Sequence, residues 1–327
     1  MNSCKSRSGF VVALAGGMMA LASIGVNAQS FPTKLIRVVN PAAPGGNSDV
    51  FFRLLQPKMT EFLGQQLVFD YRAGGGGTIG GEIIAKSAPD GYTTGLVAAS
   101  YVINPSMIKK MPYDTVKDFM GLGLIVDVPS GLVVHQSLPV KNVKELIVMG
   151  KARPGALSFA SSGVGTIIHV TAEMFAQRAG IKMLHVPYKG AAPAVIDTVS
   201  GNVSMLFAAY PSISGQVRAG KLKGLAITSL KRLNIAPELS TVAEAALPGF
   251  ESNQWWAVSG PAGLPVAVVS RLNTELERIL RTDDIKKRFA VDGAEPLSGT
   301  PAELAAYIKN DYEKWGAVIR GVGIKAE

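Results

Sequence analysis

The chain has 327 residues, of which 47% are apolar and 17% are charged, and its formal net charge is +9. This composition is typical of a globular protein large enough for two lobes, and it excludes an intrinsically disordered chain. Lysines and arginines are scattered, without basic runs or interleaved aromatic residues, so the sequence predicts no nucleic-acid partner.

Residues 1–28 have the features of a cleaved signal peptide. Lys5 and Arg7 precede the uncharged stretch FVVALAGGMMALASIG. The following residues VNA, which end at Ala28, include the small residues that signal peptidase prefers at its cleavage site. The apolar stretch is shorter than the about 20 residues that a membrane-spanning helix needs. The sequence therefore predicts export to the periplasm. Cys4 is the only cysteine and would leave with the signal, which excludes a disulfide, a cysteine nucleophile and a thiolate metal site.

Strand-like and helix-like runs alternate from residue 34 onward. KLIRVVN, QLVFDY and TTGLVAAS predict strands, and TIGGEIIAKSA predicts a helix between the last two. SDVFFRLLQPKMTEFLG predicts an amphipathic helix in which Pro57 kinks the axis or removes one hydrogen bond. This repetition predicts parallel-rich sheets flanked by helices, an α/β fold.

The same pattern restarts near residue 122 and gives a second lobe. GLIVDVPSGLVVH is a long apolar run that Pro129 interrupts. Strands are predicted at LSFAS, MLHVPY, VSMLFAA and KGLAITS, with helices at 166–179 and 190–200. WWAVSGPAG then leads into three helical runs, the last opened by Thr300, Pro301 and Glu303. We predict that 29–125 and 256–327 form lobe 1 and that 126–255 form lobe 2, joined by a hinge of two crossings.

A glycine-rich segment resembles a cofactor loop but lacks one required residue. Gly75, Gly77 and Gly80 match G-x-G-x-x-G, yet the next strand ends in Ala98, Ala99 and Ser100 instead of the acid that binds a ribose. The segment therefore predicts a tight turn whose glycines take positive φ, and no cofactor.

Two other turns place small residues between a strand and a helix, at 40–49 and at 158–169. Unpaired N–H groups and the helix dipole at such positions favour a carboxylate or phosphate. Hydroxyl donors in the second turn are Ser161, Ser162 and Thr166. Capping by Asn47, Ser48 and Thr166 would explain either turn alone. Two such turns facing one cleft favour a ligand site.

The three histidines are too scattered for a metal site, and no carboxylate cluster accompanies them. His169 falls in the first turn of its helix and is equally compatible with a ligand donor and with a capping or surface histidine. We expect His135 and His185 to be structural, Tyr188 to line the cleft, and Trp255 and Trp256 to pack in the core.

Eight segments spread in order over the mature chain, among them NPAAPGGNSDVFFR, FASSGVGTIIHV and HVPYKGAAPAVIDTVSGNVSMLF, resemble the Bug family of solute receptors of tripartite tricarboxylate transporters. The resemblance implies a two-lobed type II periplasmic binding protein, a "Venus flytrap", that is a monomer. It would bind a small carboxylate without cofactor or metal and pass it to membrane transporter subunits. The ligand-binding residues that it implies are Gly45, Gly46, Asn47, Asp49, Ser100, Ser161, Ser162, Gly165, Thr166, His169, Tyr188 and Ala208.

The sequence departs from the family pattern at Val164, where a polar residue is frequent, and at Ala208 and Ala209, where many relatives have Asp and Asn. An ammonium buried beside two alanines would lack a partner. We therefore expect a carboxylate ligand without an α-amino group.

Two other classes of protein stay open. Hydrolase signatures such as G-x-S-x-G are absent, so no catalytic residue is predicted, but an exported enzyme using His169 with a serine on a carboxylated substrate is the alternative. A structural or signalling partner protein is the third class.

Overall fold

A computed structural model describes residues 31–324, and the predicted signal peptide lies outside them. The strands are β1 (Ile36–Asn40), β2 (Leu67–Tyr71), β3 (Thr93–Ala98), β4 (Phe119–His135), β5 (Leu157–Ser161), β6 (Met183–Pro187), β7 (Met205–Ala209), β8 (Leu222–Ile227), β9 (Asn253–Pro261) and β10 (Glu295–Pro296). The helices are α1 (Asn47–Leu63), α2 (Thr78–Ala85), α3 (Ser100–Met107), α4 (Val143–Ala152), α5 (Ile167–Ala179), α6 (Ala191–Val199), α7 (Tyr210–Arg218), α8 (Val242–Ala245), α9 (Val266–Leu280), α10 (Asp283–Val291) and α11 (Pro301–Val322).

The strands form two sheet halves that share β4. The first half has the order β2-β1-β3-β9-β4, with β1 parallel to β2 and β3, and with β9 antiparallel to β3 and β4. β10 adds two residues antiparallel to β4. In the second half β5 is parallel to β6 and β7, and β4 is antiparallel to β7 and β8. The α/β two-lobed fold class is confirmed.

The hinge consists of two chain segments that run side by side. β4 pairs with β9 as far as Pro129, and from Ser130 it lies between β7 and β8. Thr228 joins both segments, because its N–H donates to the Ser130 carbonyl at 2.8 Å and its carbonyl accepts from Ser252 N–H at 3.2 Å. The boundaries after residues 125 and 255 stay predictions about where the lobes divide.

The sequence signals for helix ends are reproduced in α11. Thr300 Oγ1 accepts the Glu303 N–H at 3.2 Å and Glu303 Oε2 accepts the Thr300 N–H at 2.7 Å, which is the predicted capping box. Gly323 ends the helix in the left-handed conformation. Pro57 lies inside α1 without ending it.

Aromatic clusters fill the core of each lobe. Phe51 packs on Trp256 and Phe289 with ring centroids at 5.6 and 5.2 Å. In the second lobe Phe175 lies 5.6 Å from Phe207. Trp255 and Trp256 are both buried, as predicted. α11 contacts α3 and also α5, so the C-terminal helix touches both lobes.

The parallel strands place the candidate turns at the sheet edges. Asn40 at the end of β1 pairs with Tyr71, and Ser161 at the end of β5 pairs with Pro187. Both turns therefore leave the carboxyl ends of parallel strands, where α/β sheets bind ligands.

Candidate functional site

The first-lobe turn is folded by the buried side chain of Asn40. Its Oδ1 accepts hydrogen bonds from Ala42 N–H at 3.1 Å and from Ser48 Oγ at 3.0 Å. These bonds bend the chain back toward β1 and place Gly46 immediately before α1.

Asp49 completes the first-lobe turn from inside α1. Its Oδ2 accepts the Gly45 N–H at 2.9 Å, and its Oδ1 accepts from Arg53 Nε at 2.9 Å and from Tyr71 OH at 2.6 Å. Burial alone would raise the pKa of this carboxyl, but the hydrogen bonds from Tyr71 and Gly45 and the charge of Arg53 lower it. Asp49 is thus ionised, buried and occupied in shaping the turn.

The second-lobe turn is built in the same way around Ser161, which is fully buried. Ser161 Oγ accepts the Gly163 N–H at 3.1 Å, two residues along, as Asn40 does for Ala42. The hydroxyl of Thr166 donates to the Gly163 carbonyl at 2.7 Å. Ser161 therefore supports the turn from beneath, whereas Ser162 and Thr166 are both partly exposed.

In each turn, the side chain of the third residue of the following helix accepts a hydrogen bond from a glycine N–H of the turn. Gly165 N–H points to His169 Nδ1 at 3.4 Å, just as Gly45 N–H points to Asp49. Gly45 and Gly165 have φ of +79° and +75°, which side-chain-bearing residues rarely adopt. His169 thus lies beside the turn, as predicted from its helix position.

His185, which we expected to be structural, packs beneath the second-lobe turn. Its Nε2 lies 2.6 Å from Ser161 Oγ, and its ring stacks on His169 with centroids 4.1 Å apart. Burial lowers the pKa of both histidines to about 4, and in His169 the neighbouring His185 lowers it further. Both rings are neutral at pH 7. The sequence carried no signal for this pair, because it depends on the pairing of β5 with β6, which sets Phe159 opposite His185.

The helix starts at both turns keep free N–H donors. Gly46 and Thr166 are the N-cap residues of α1 and α5, and within residues 31–324 no side chain caps either helix. The capping role considered for Asn47, Ser48 and Thr166 is therefore wrong. Four N–H groups at each helix start lack a partner within the helix, and the dipole makes the site attractive to an anion.

The first-lobe turn contacts the second lobe across the cleft. Ser212 on α7 of the second lobe donates its hydroxyl to Asn47 Oδ1 at 2.6 Å, a contact between residues 165 positions apart. Asn47 opens α1, so the first-lobe turn directly faces the second lobe.

The remaining predicted residues lie at different depths. Ser100 opens α3 and is half-buried, with its hydroxyl near Gly77. Tyr188 packs its backbone behind the second turn, because its N–H donates to the Ser161 carbonyl at 3.0 Å, while its hydroxyl donates to Asp197 at 2.6 Å. Ala208 is fully buried within β7. Their contact with a ligand stays a prediction.

Two kinds of feature, a metal site and a membrane-spanning helix, are absent from the part of the chain that the structure describes. Residues 31–324 contain no group of three or more His, Cys, Asp or Glu arranged to hold a metal ion. Among the helices described above, none combines the length and the apolar character needed to cross a bilayer.

Sequence comparison relates the chain to a family of receptors. The family model described as "Tripartite tricarboxylate transporter family receptor" matches residues 51–324. Protein BugT of Bordetella pertussis is 34% identical over 319 residues, which cover 96% of this chain and 98% of BugT.

Two solved structures resemble this one closely. R. palustris Rpa4515 with adipate is 32% identical, with a TM-score of 0.88 over 91% of this chain and 100% of the other. MatC from Rhodopseudomonas palustris with bound malate is 27% identical, with a TM-score of 0.84 over 88% of this chain and 100% of the other.

Proposed function

Because this chain belongs to the tripartite tricarboxylate transporter receptor family, we propose that it captures a small carboxylate without an α-amino group between its two lobes. It delivers this solute, as a periplasmic monomer, to the membrane subunits of a transporter. The observation that carries the proposal is the pair of like-built turns, one from each lobe, together with the Ser212–Asn47 hydrogen bond, which joins the start of α1 to α7 of the second lobe.

The chemistry of the turns favours a carboxylate. The N–H groups at the start of α5 and the hydroxyl of Ser162 can donate hydrogen bonds to an anionic group. The stacked histidines beside them stay neutral. The relatives Rpa4515 and MatC hold adipate and malate. Neither of these dicarboxylates has an amino group. This agrees with the fully buried alanines at 208 and 209, which offer no partner for a buried ammonium.

Capture follows from the two-lobed geometry. A solute that contacts both turns binds the closed arrangement better than the open one, so it shifts the lobes toward closure by that difference in affinity. A scattering profile more compact with solute than without is expected, and an unchanged profile at saturation would contradict closure.

A thermal-shift screen tests the ligand class, using adipate, malate, succinate and citrate against aspartate and glutamate. A solute at 100 times its Kd adds about 2.7 kcal/mol to the free energy of unfolding. We expect melting temperature to rise with at least one of the first four. Titration calorimetry that shows tighter binding of aspartate or glutamate would overturn the exclusion of amino acids.

The alternative of an exported enzyme has one observation in its favour, the 2.6 Å contact between Ser161 Oγ and His185 Nε2. Serine nucleophiles use such a pair. Ser161 is, however, fully buried. We propose that the protein returns its solute unchanged, and chromatography of adipate and of its methyl ester after incubation would reveal turnover if it occurs.

A further inference from the structure

The glycine-rich turn at 74–77 has a role that the dinucleotide motif does not explain. All four glycines have positive φ, and Gly75–Gly77 form a short 3-10 turn before α2. A Cβ atom on Gly76 would lie 2.9 Å from the carbonyl oxygen of Val164, closer than real Cβ atoms approach other atoms. Gly76 is in the first lobe and Val164 in the second, so this glycine allows two backbones to touch across the cleft.

In a second contact between the lobes, a glycine of the second lobe packs against a side chain of the first lobe. A Cβ on Gly165 of the second lobe would lie 2.5 Å from Oδ1 of Asn104, on α3 of the first lobe. Asn104 is fully buried, and its Nδ2 donates to the Gly76 carbonyl at 3.1 Å. The amide of Asn104 therefore joins both glycine contacts into one unit.

We infer that Gly76, Asn104, Val164 and Gly165 form a latch, here called the glycine latch, which closes the second-lobe turn over a captured solute and opens when the lobes separate. The inference rests on the proposed capture of a carboxylate in the cleft. It assigns to the glycine-rich turn the control of how long a captured solute stays, because the Gly76–Val164 and Gly165–Asn104 contacts join the two lobes and are lost when the lobes separate.

The latch also contains a feature that favours release. Asn104 Oδ1 is buried and has no hydrogen-bond partner in the part of the chain that the structure describes. An unpaired buried acceptor disfavours the closed state, since opening returns it to water. Close packing of Gly76 on Val164 and of Gly165 on Asn104 thus holds the lobes together against this unpaired oxygen, while the Asn104–Gly76 hydrogen bond fixes the amide within the first lobe, so the latch is reversible.

The first test compares Gly76→Ala with Gly64→Ala. The two glycines have nearly the same backbone conformation, with φ/ψ of 62°/22° and 69°/15°, so alanine strains both alike. A Cβ on Gly64 meets nothing within 4 Å. Only the Gly76 variant should therefore obstruct closure.

Lobe separation can be measured with spin labels on cysteines at Val68 and Ile196, which are 47% and 63% exposed, in a Cys4→Ser background. Gly76→Ala should shift the distance distribution toward the open state and speed adipate release at least tenfold. Gly64→Ala should leave both within twofold. Equal behaviour of the two variants would overturn the latch.

The second test uses the contact between Gly165 and Asn104. Gly165→Ala should speed adipate release in the wild-type background. In the Asn104→Ala background, where the obstructing amide is gone, the acceleration caused by Gly165→Ala should be at least fivefold smaller. Effects that simply multiply would overturn the latch. If no carboxylate binds the wild-type protein, the proposed function fails. The label distances measured without solute then still decide the latch, because Gly76→Ala must open the lobes more than Gly64→Ala does.

Discussion

The first-lobe and second-lobe turns have the same hydrogen-bond pattern but carry different charges. In each, a buried polar residue at the strand end accepts the N–H two residues along, and the third helical residue accepts a glycine N–H. That third residue is an ionised Asp49 in the first lobe and a neutral His169 in the second. We therefore expect an anionic solute group to bind less strongly beside Asp49, whose charge is paired with Arg53, than beside His169, so that two turns of similar backbone would be unequal subsites.

The largest effect is expected from making the second turn resemble the first. His169→Asp would place a carboxylate beside the proposed anion, and two such charges about 4 Å apart repel by about 4 kcal/mol at an effective dielectric constant near 20. We expect the affinity for adipate, measured by calorimetry, to fall more than a hundredfold. His169→Asn is the neutral control and should lose far less. Equal losses in the two variants would show that charge is not what distinguishes the turns.

The next effect is the part of the pH dependence of stability that arises from the two histidines at the second turn. The pKa of His169 and His185 is about 4 when folded against an ordinary value of 6.5. Their contribution to stability is therefore complete above pH 6.5 and is lost as pH falls toward 4, by roughly 2 kcal/mol per histidine at pH 5. Urea unfolding at pH 7 and pH 5 measures it. His185→Phe should reduce the difference, while His135→Phe, at the end of β4, should not.

A smaller effect on adipate affinity, opposite in sign to that of His169→Asp, is expected at the first turn. Asp49→Asn keeps an acceptor for Gly45 but removes the charge that pairs with Arg53. The free energy of unfolding should fall by about 1–2 kcal/mol, because hydrogen bonds to a charged group become neutral ones. Adipate affinity should stay the same or rise a few-fold. A large loss of affinity would mean that Asp49 serves the ligand directly and that the two turns are not opposed in charge.

The smallest effect concerns the open start of α1. Gly46 has φ of −70° and ψ of 166°, a conformation typical of an N-cap serine. Gly46→Ser should stabilise the protein by at most about 0.3 kcal/mol, because a Cβ there would lie only 3.2 Å from the Ala43 carbonyl oxygen. It should weaken adipate binding a few-fold, since the serine hydroxyl occupies an N–H donor. Thr300→Ala, which removes the cap of α11, should cost about 1 kcal/mol of stability without changing affinity. A Gly46→Ser protein that binds as tightly as wild type would separate this helix start from the site.

Local patterns predicted much of the fold. The strands around Val38, Phe159 and Phe207 and the capping box at Thr300 follow from periodicity and cap residues that act within a few positions. The short helices α3 and α7 were not predicted, because SYVINPSM and YPSISGQVR carry prolines and no clear apolar period. Packing decides their form.

The sequence by itself determined the α/β class, the two turns and the position of His169 beside one of them, since each depends on residues that are neighbours along the chain. Only the tertiary structure decided which distant groups meet there. Ser161 and His185 are 24 positions apart, Asn47 and Ser212 are 165 apart, and Gly76 touches Val164 across the cleft. Such contacts depend on strand register and on how the lobes close, and neither leaves a periodic signal in the residues concerned.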